Sequence, residues 1–209
     1  MRPGLHRLVL AGLLVGSLGA GGLTRADDIS TSDATFAEAV QAVKDKNYSH
    51  AVQLFTLQAE ADQHDAQYNL ALLLKSGKGH PQNFQHSLIW AWSAWLGGIE
   101  KGAELAEEVL DMLPEDSVAA AREAVKTRLQ DRIADGQKPA LMQFARLHTE
   151  LLEEQDWQAA YIWYAIAAAV GLEGAAEARD EAMNNLEDAN ITELQAEAGK
   201  LFEGLELQP

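Results

Sequence analysis

The chain has no cysteine among its 209 residues. That excludes disulfides, thiol catalysis, zinc–thiolate sites and a lipid-modified bacterial N-terminus. Basic side chains are scarce: 16 Lys and Arg stand against 32 Asp and Glu, a formal net charge of −16. Nucleic acid and anionic lipid are bound mainly through cationic side chains, so neither is an expected partner. Mean hydropathy is −0.18, too low for a multi-span membrane protein. Gly-x-Ser-x-Gly, Walker and Rossmann motifs are missing, and so is the Asp-rich loop of an EF-hand. No stretch alternates convincingly with period two, so no sheet is expected. What is present is ordinary for a globular protein: 47% hydrophobic residues exclude wholesale disorder. The length suits one domain or one continuous repeat array.

Residues 1–26 read as a secretory signal peptide. Arg2, His6 and Arg7 form a basic start, Leu8 to Leu18 an apolar run, and Thr24 and Ala26 a small-residue site before Asp27. The apolar run is short and glycine-rich, so a spanning helix is marginal, with an uncleaved anchor as the rival reading. Cleavage removes three arginines and no acid, leaving the mature chain more acidic still. The expected compartment is the bacterial periplasm, with secretion second. A flexible segment is expected over 27–35, followed by the repeat domain over 36–209.

The chain repeats itself. Asn47-Tyr48, Asn83-Phe84 and Asp156-Trp157 are each followed by a small residue three positions after the aromatic and a large one three further on: Ala51 and Leu54, Ser87 and Trp90, Ala160 and Trp163. The first two aromatics lie 36 residues apart and the last two 73, about two periods. The 73-residue offset pairs Trp90 with Trp163, Ala94 with Ala167, Gly98 with Gly171 and Leu113 with Leu186 without a gap. The second half therefore reads as a duplicate of a two-unit block. Phe84, Ser87, Leu88, Ala91, Ala94 and Trp95 follow helical spacing, as do Trp157, Ala160, Tyr161, Tyr164, Ala167 and Ala168. Gly97-Gly98 and Gly171 are expected helix stops. First helices are expected near 66–76 and 140–153, breaks at Pro114 and Pro139, and a capping box from Asn190 to Glu193 opening a last helix to about Glu203. The expected units lie near 36–65, 66–102, 103–138, 139–175 and 176–209.

Residues 66–103 carry a more specific signature. Ala66-Gln67-Tyr68-Asn69-Leu70-Ala71 precedes a loop with Gly77, Gly79, Pro81, Gln82 and Phe84, then Ser87, Trp90, Ala94 and Gly98. This resembles the Sel-one-like repeat family. His80, Ser87 and Trp95 depart from the family pattern, the 156–176 unit lacks the Gly-x-Gly loop, and 103–138 is degenerate. The resemblance implies an all-α, right-handed superhelical solenoid of antiparallel helix hairpins, related to tetratricopeptide repeats and used for protein binding.

Candidate residues follow. Trp90 and Trp163 occupy equivalent repeat positions and are expected to pack the core, with Gly77, Gly79, Pro81, Ala94, Gly98, Ala167 and Gly171 as the structural signature. Trp92 lies off the Ser87–Ala91–Ala94 stripe, so it is a candidate anchor for a partner, with inter-repeat packing as the alternative. Tyr68 and Tyr164 are the other candidate anchors. The histidines show no metal-ligand spacing, although His80 and His86 could approach across a loop. No catalytic residue, metal or cofactor is expected. The strong acidity favours a basic partner, or simply keeps the chain soluble. The expected function is a non-catalytic adaptor or scaffold for a protein or peptide in the cell envelope, without stable membrane insertion after cleavage. The alternatives are a structural subunit or assembly factor of an envelope complex (secretion, polysaccharide export or motility), and a metal-dependent hydrolase hidden in 103–138.

Overall fold

A computed structural model describes residues 32–186 and 190–207. The expected signal peptide lies outside the described residues, as do 27–31 of the N-terminal segment. The described chain is all-helical, with no strand among the described residues. In order the helices are α1 Asp33–Lys44, α2 Tyr48–Glu60, α3 His64–Ser76, α4 Phe84–Leu96, α5 Lys101–Leu110, α6 Glu115–Ala134, α7 Pro139–Glu150, α8 Trp157–Ala169, α9 Ala175–Asn184 and α10 Ile191–Glu203.

The duplication is visible in the backbone. Shifting α4 by 73 residues reproduces the bounds of α8. Both helices start on a side-chain cap: Asn83 Oδ1 accepts from the His86 amide at 3.0 Å, and Asp156 Oδ1 from the Ala159 amide at 2.9 Å. Both stop in the same way. Gly98 N donates to Trp95 O and Ile99 N to Ala94 O, and Gly171 N donates to Ala168 O and Leu172 N to Ala167 O. Gly98 and Gly171 take the positive φ, 99° and 79°, that this closing turn requires. Pro114 precedes α6 and Pro139 is the first residue of α7, where a missing N–H costs nothing. Asn190 does open α10, but its side chain makes no capping bond. The expected capping box is therefore not formed, and the turn closes through Glu193 N and Asn190 O instead.

Consecutive helices pack from α1 through α5, and again from α6 through α9. The fourth helix of each block behaves differently: α6 reaches back to α4 as well as packing on α7, and α10 packs mainly on α8. The helices of the expected units near 103–138 and 176–209 thus do not pair chiefly with each other. One cause is Gly102, which lets α5 press so close to α4 that a Cβ there would stand 2.5 Å from the Ala91 carbonyl oxygen. With α5 against one side of α4, α6 takes another.

Two buried clusters result. A smaller one holds Ala39, Ala42, Phe55, Leu70, Leu73 and Leu74, and a larger one runs from Ala71 to Ala198. Trp90 packs against both. Ala94 and Ala167 are fully buried. Buried Ser87 donates its hydroxyl to Ala71 O at 2.8 Å. The Gly77–Asn83 loop folds back on its own helix: Gln82 Nε2 donates to Lys75 O at 2.7 Å and Asn83 N to Leu74 O at 3.0 Å. Gly79 then lies on the start of α2, where a Cβ would sit 2.3 Å from the Tyr48 carbonyl oxygen.

Two glycines of positive φ separate conformation from crowding. Gly98→Ala has open space and should cost about 1–2 kcal/mol for the left-handed backbone alone. Gly79→Ala adds a backbone collision, so a further loss of about 1–3 kcal/mol is expected. Urea unfolding of the two variants checks this; equal losses would contradict the close approach to Tyr48.

Candidate functional site: a cleft bridged by two arginines

The cleft begins with a difference between the two halves. In the second, Trp163 meets Phe144 edge-on with ring centroids 5.0 Å apart. The residue 73 positions before Phe144 is Ala71, so the equivalent Trp90 has no ring in that place. Its face is covered instead by Arg128 of α6, whose guanidinium stands 4.7 Å from the ring centroid. Beside this pair opens a cavity of about 420 Å³, lined by Val52 and Thr56 of α2, Leu70 and Leu74 of α3, Ile89 and Trp90 of α4, and Arg128, with His80 and His86 at its edge. A second hollow of about 760 Å³ continues along α6 past Glu123, Thr127 and Asp131. The two share Glu60, Ala124 and Arg128.

Arg128 bridges α6 to the end of α2. Its Nη2 donates to Ala59 O at 2.9 Å and Glu60 O at 3.0 Å, and Nη1 pairs with the Glu60 carboxylate. A cation is well placed at those last carbonyls, where the helix dipole is negative. One turn further along α6, Arg132 is only 8% exposed. It pairs with Asp62 (Nη2–Oδ2 2.5 Å) and donates from Nη1 to Gln143 Oε1 at 2.9 Å and from Nε to Gln137 Oε1 at 2.8 Å. Gln143 Nε2 in turn donates to Asp62 Oδ2 at 3.0 Å, and Gln67 Nε2 to Asp62 Oδ1 at 3.1 Å. Burial pulls the Arg132 pKa below the usual arginine value, and the Asp62 charge works against that pull.

Asp62 is itself unusual, with φ 66° in a position where glycine is the usual choice. It ends α2 as Gly98 ends α4 and Gly171 ends α8, 36 residues before the first of them. The first unit thus carries a carboxylate where later units carry glycine, and Arg132, Gln143 and Gln67 hold it.

The three candidate anchors are not brought together. Trp92 is 4% exposed, inside the main cluster. It lies off the stripe that its neighbours form, but α4 is packed by α3, α5, α6 and α7 and so has little free face. Tyr164 is buried on α8, and burial pushes its hydroxyl up to about 12, with Arg146 acting the other way. Tyr68, on α3, is half-buried and packs against the main cluster. The corrected placement makes Trp92 and Tyr164 internal packing residues. Trp90, expected to be core, packs against both clusters and also lines the cleft. Arg128, Arg132 and Asp62 were missed because their partners lie about 70 residues away, and no local pattern signals such a pairing.

His80 and His86 share the cavity edge, with His80 Nδ1 2.7 Å from Pro81 O. Among the described residues no group of three or more His, Cys, Asp or Glu is placed to hold a metal ion. His148 on α7 is different: neither ring nitrogen has a hydrogen-bond partner among the described residues, and the ring lies edge-on to Phe144 at 5.0 Å. Burial lowers its pKa, Asp156 opposes this, and Lys126 adds to it. No described helix is long and apolar enough to cross a membrane. Comparison with known protein families finds no match for this chain, and comparison with curated proteins finds no relative.

Two outcomes are expected. Asp62→Gly relieves about 1 kcal/mol of left-handed strain but strands a buried guanidinium, a loss of about 3–5 kcal/mol. The variant should therefore unfold at lower urea, and adding Arg132→Met should restore much of the loss; a double-mutant cycle measures this. The fold holds His148 neutral, so its contribution is whole above the unfolded pKa of about 6.5 and is lost as pH falls towards its lower folded value. The urea midpoint should fall between pH 7 and pH 5, and fall less in His148→Phe. Equal falls would show that His148 is not the group responsible.

Proposed function

We propose that this protein is a non-catalytic adaptor that binds an extended segment of a partner protein in the cleft between α2, α4 and α6. The reading also takes the helices as a Sel-one-like, superhelical solenoid, exported to the periplasm by cleavage before Asp27. The observation that carries it is the half-buried Trp90 beside Arg128, at the junction of two connected hollows. Aromatic rings set in a partly apolar recess are the side chains that most often dominate protein–protein affinity. Glu60, Glu123 and Asp131 line the same surface, and a negatively charged groove on an acidic chain favours a partner with basic residues. The aliphatic walls, Val52, Ile89, Leu70 and Leu74, supply burial for one or two apolar side chains.

Ala124 tests this best. It is exposed on α6, lines both hollows and touches neither arginine bridge as a hydrogen-bonding partner. With the mature chain as bait in the native envelope fraction, one stoichiometric partner should be recovered. Ala124→Arg should remove it while circular dichroism shows unchanged helicity. An empty recovery from a well-folded wild-type bait, or a partner that Ala124→Arg retains, would overturn the reading.

A further inference from the structure

The internal duplication shows what one surface of the chain is shaped to receive. Helices α3 to α6 correspond to α7 to α10 under the 73-residue shift. In the first block, the next helix, α7, packs on both α4 and α6. In that block Trp92, Val125 and Leu129 are at most 4% exposed. In the second block no described helix follows α10; the described tail packs Leu205 and Leu207 against the main cluster, yet apolar side chains on α9 and α10 stay exposed. Phe202, at the position of Leu129, is 41% exposed, and Met183, at the position of Leu110, is 40% exposed. Ala165 stands where Trp92 stands, and the hollow between Tyr161, Met183, Gln195 and Ala198, about 440 Å³, is larger than its first-block counterpart, a hollow of about 300 Å³ lined by Trp92, Leu110 and Arg122 and bordered by Glu150 and Leu151 at the end of α7.

We propose that this open end, formed by α8, α9 and α10, is a docking seat for an amphipathic helix of a partner protein, with an arginine near the end of its apolar stripe. The seat is separate from the Trp90 cleft and stands whether or not that cleft binds a partner. The arginine follows from the occupied copy. There Arg146 of α7 donates through Nη1 to Trp95 O at 3.0 Å and to Leu96 O at 3.3 Å, the last carbonyls of α4. Their counterparts are the Ala168 and Ala169 carbonyls, which end α8. From the other side Arg122 Nε donates to Leu151 O at 2.8 Å; its counterpart Gln195 also carries an N–H donor.

Charge selects the class of occupant. Glu177, Asp180, Glu181, Glu193, Glu197 and Glu203 are exposed on α9 and α10, so a basic helix is attracted and an acidic one repelled. A second copy of this chain is a poor occupant. It carries the same net charge of −16, and its N-terminal helix α1 exposes no large apolar side chain to insert.

The natural probe is α7 itself. A capped, fluorescein-labelled peptide of residues 138–152, in which Lys138 and Arg146 outweigh Glu150, is titrated with the full chain and followed by anisotropy. Saturable binding is expected. It should weaken by about tenfold or more with Phe202→Glu in the protein, weaken with Arg146→Ala in the peptide, and be unchanged by Ala124→Arg, which reports on the other cleft. Phe202 is exposed, so the variant should fold, and circular dichroism verifies that it does. No saturable binding, or equal binding to wild type and Phe202→Glu, would overturn the proposal. So would concentration-dependent dimerisation lost with Phe202→Glu, which would make a second copy the occupant.

Discussion

The Arg132–Asp62 pair is the constraint on which the arrangement of the helices turns. It joins two regions distant in sequence, the α2–α3 turn with Gln67 of α3, and α6 with Gln143 of α7. A buried pair of this kind adds little stability over a well-packed apolar replacement, because each ion gives up its hydration. Its force lies in the penalty for leaving either partner alone. Any packing of α6 that moved Arg132 from Asp62 would strand a charge in the interior, so the pair selects one placement of α6. The left-handed backbone at Asp62 is the local cost of that selection; at the ends of α4 and α8 the same position is glycine.

The cleft is a consequence of the same placement. With Arg132 held, Arg128 one turn earlier meets the last carbonyls of α2 and the face of Trp90. Helix α6 therefore spans from the main cluster to the smaller N-terminal one, and the hollows lie along its flank. Small residues keep the space open: Ala71 stands where the second half has Phe144, and Ala124 faces both hollows. The corresponding region of the second half is closed by Phe144 against Trp163. The two halves thus share a backbone plan, and substitutions at a few positions decide which half is open and where.

The open end follows a related logic. A repeated block buries its apolar surface against the next one, and the last block has no described successor. Ordinary end units carry a polar outer face; here Phe202 and Met183 remain exposed, and the hollow beside Met183 is larger than its counterpart beside Trp92. The acidic exterior, which at the level of composition only argued against nucleic acid and anionic lipid, then acts as a filter on what meets these surfaces.

The features legible in the sequence were those set by near neighbours along the chain. The stops at Gly98 and Gly171 and the breaks at Pro114 and Pro139 depend on hydrogen bonds and backbone angles within a few residues, and the 73-residue duplication is a pattern of such local signals. The all-helical class follows from the same local spacing. The tertiary structure alone decided the rest. Trp92 breaks the apolar stripe of its helix and reads as free, yet α4 is surrounded by four helices and its ring is enclosed. Trp90 sits on a core position and reads as buried, yet the alanine opposite it leaves it beside an opening. Arg132 and Asp62 look like two solvated charges 70 residues apart until α6 crosses α4. Local pattern specifies which residues are helical and where each helix ends; which face is left open depends on what other segments bring to it, and that is a property of distance in space.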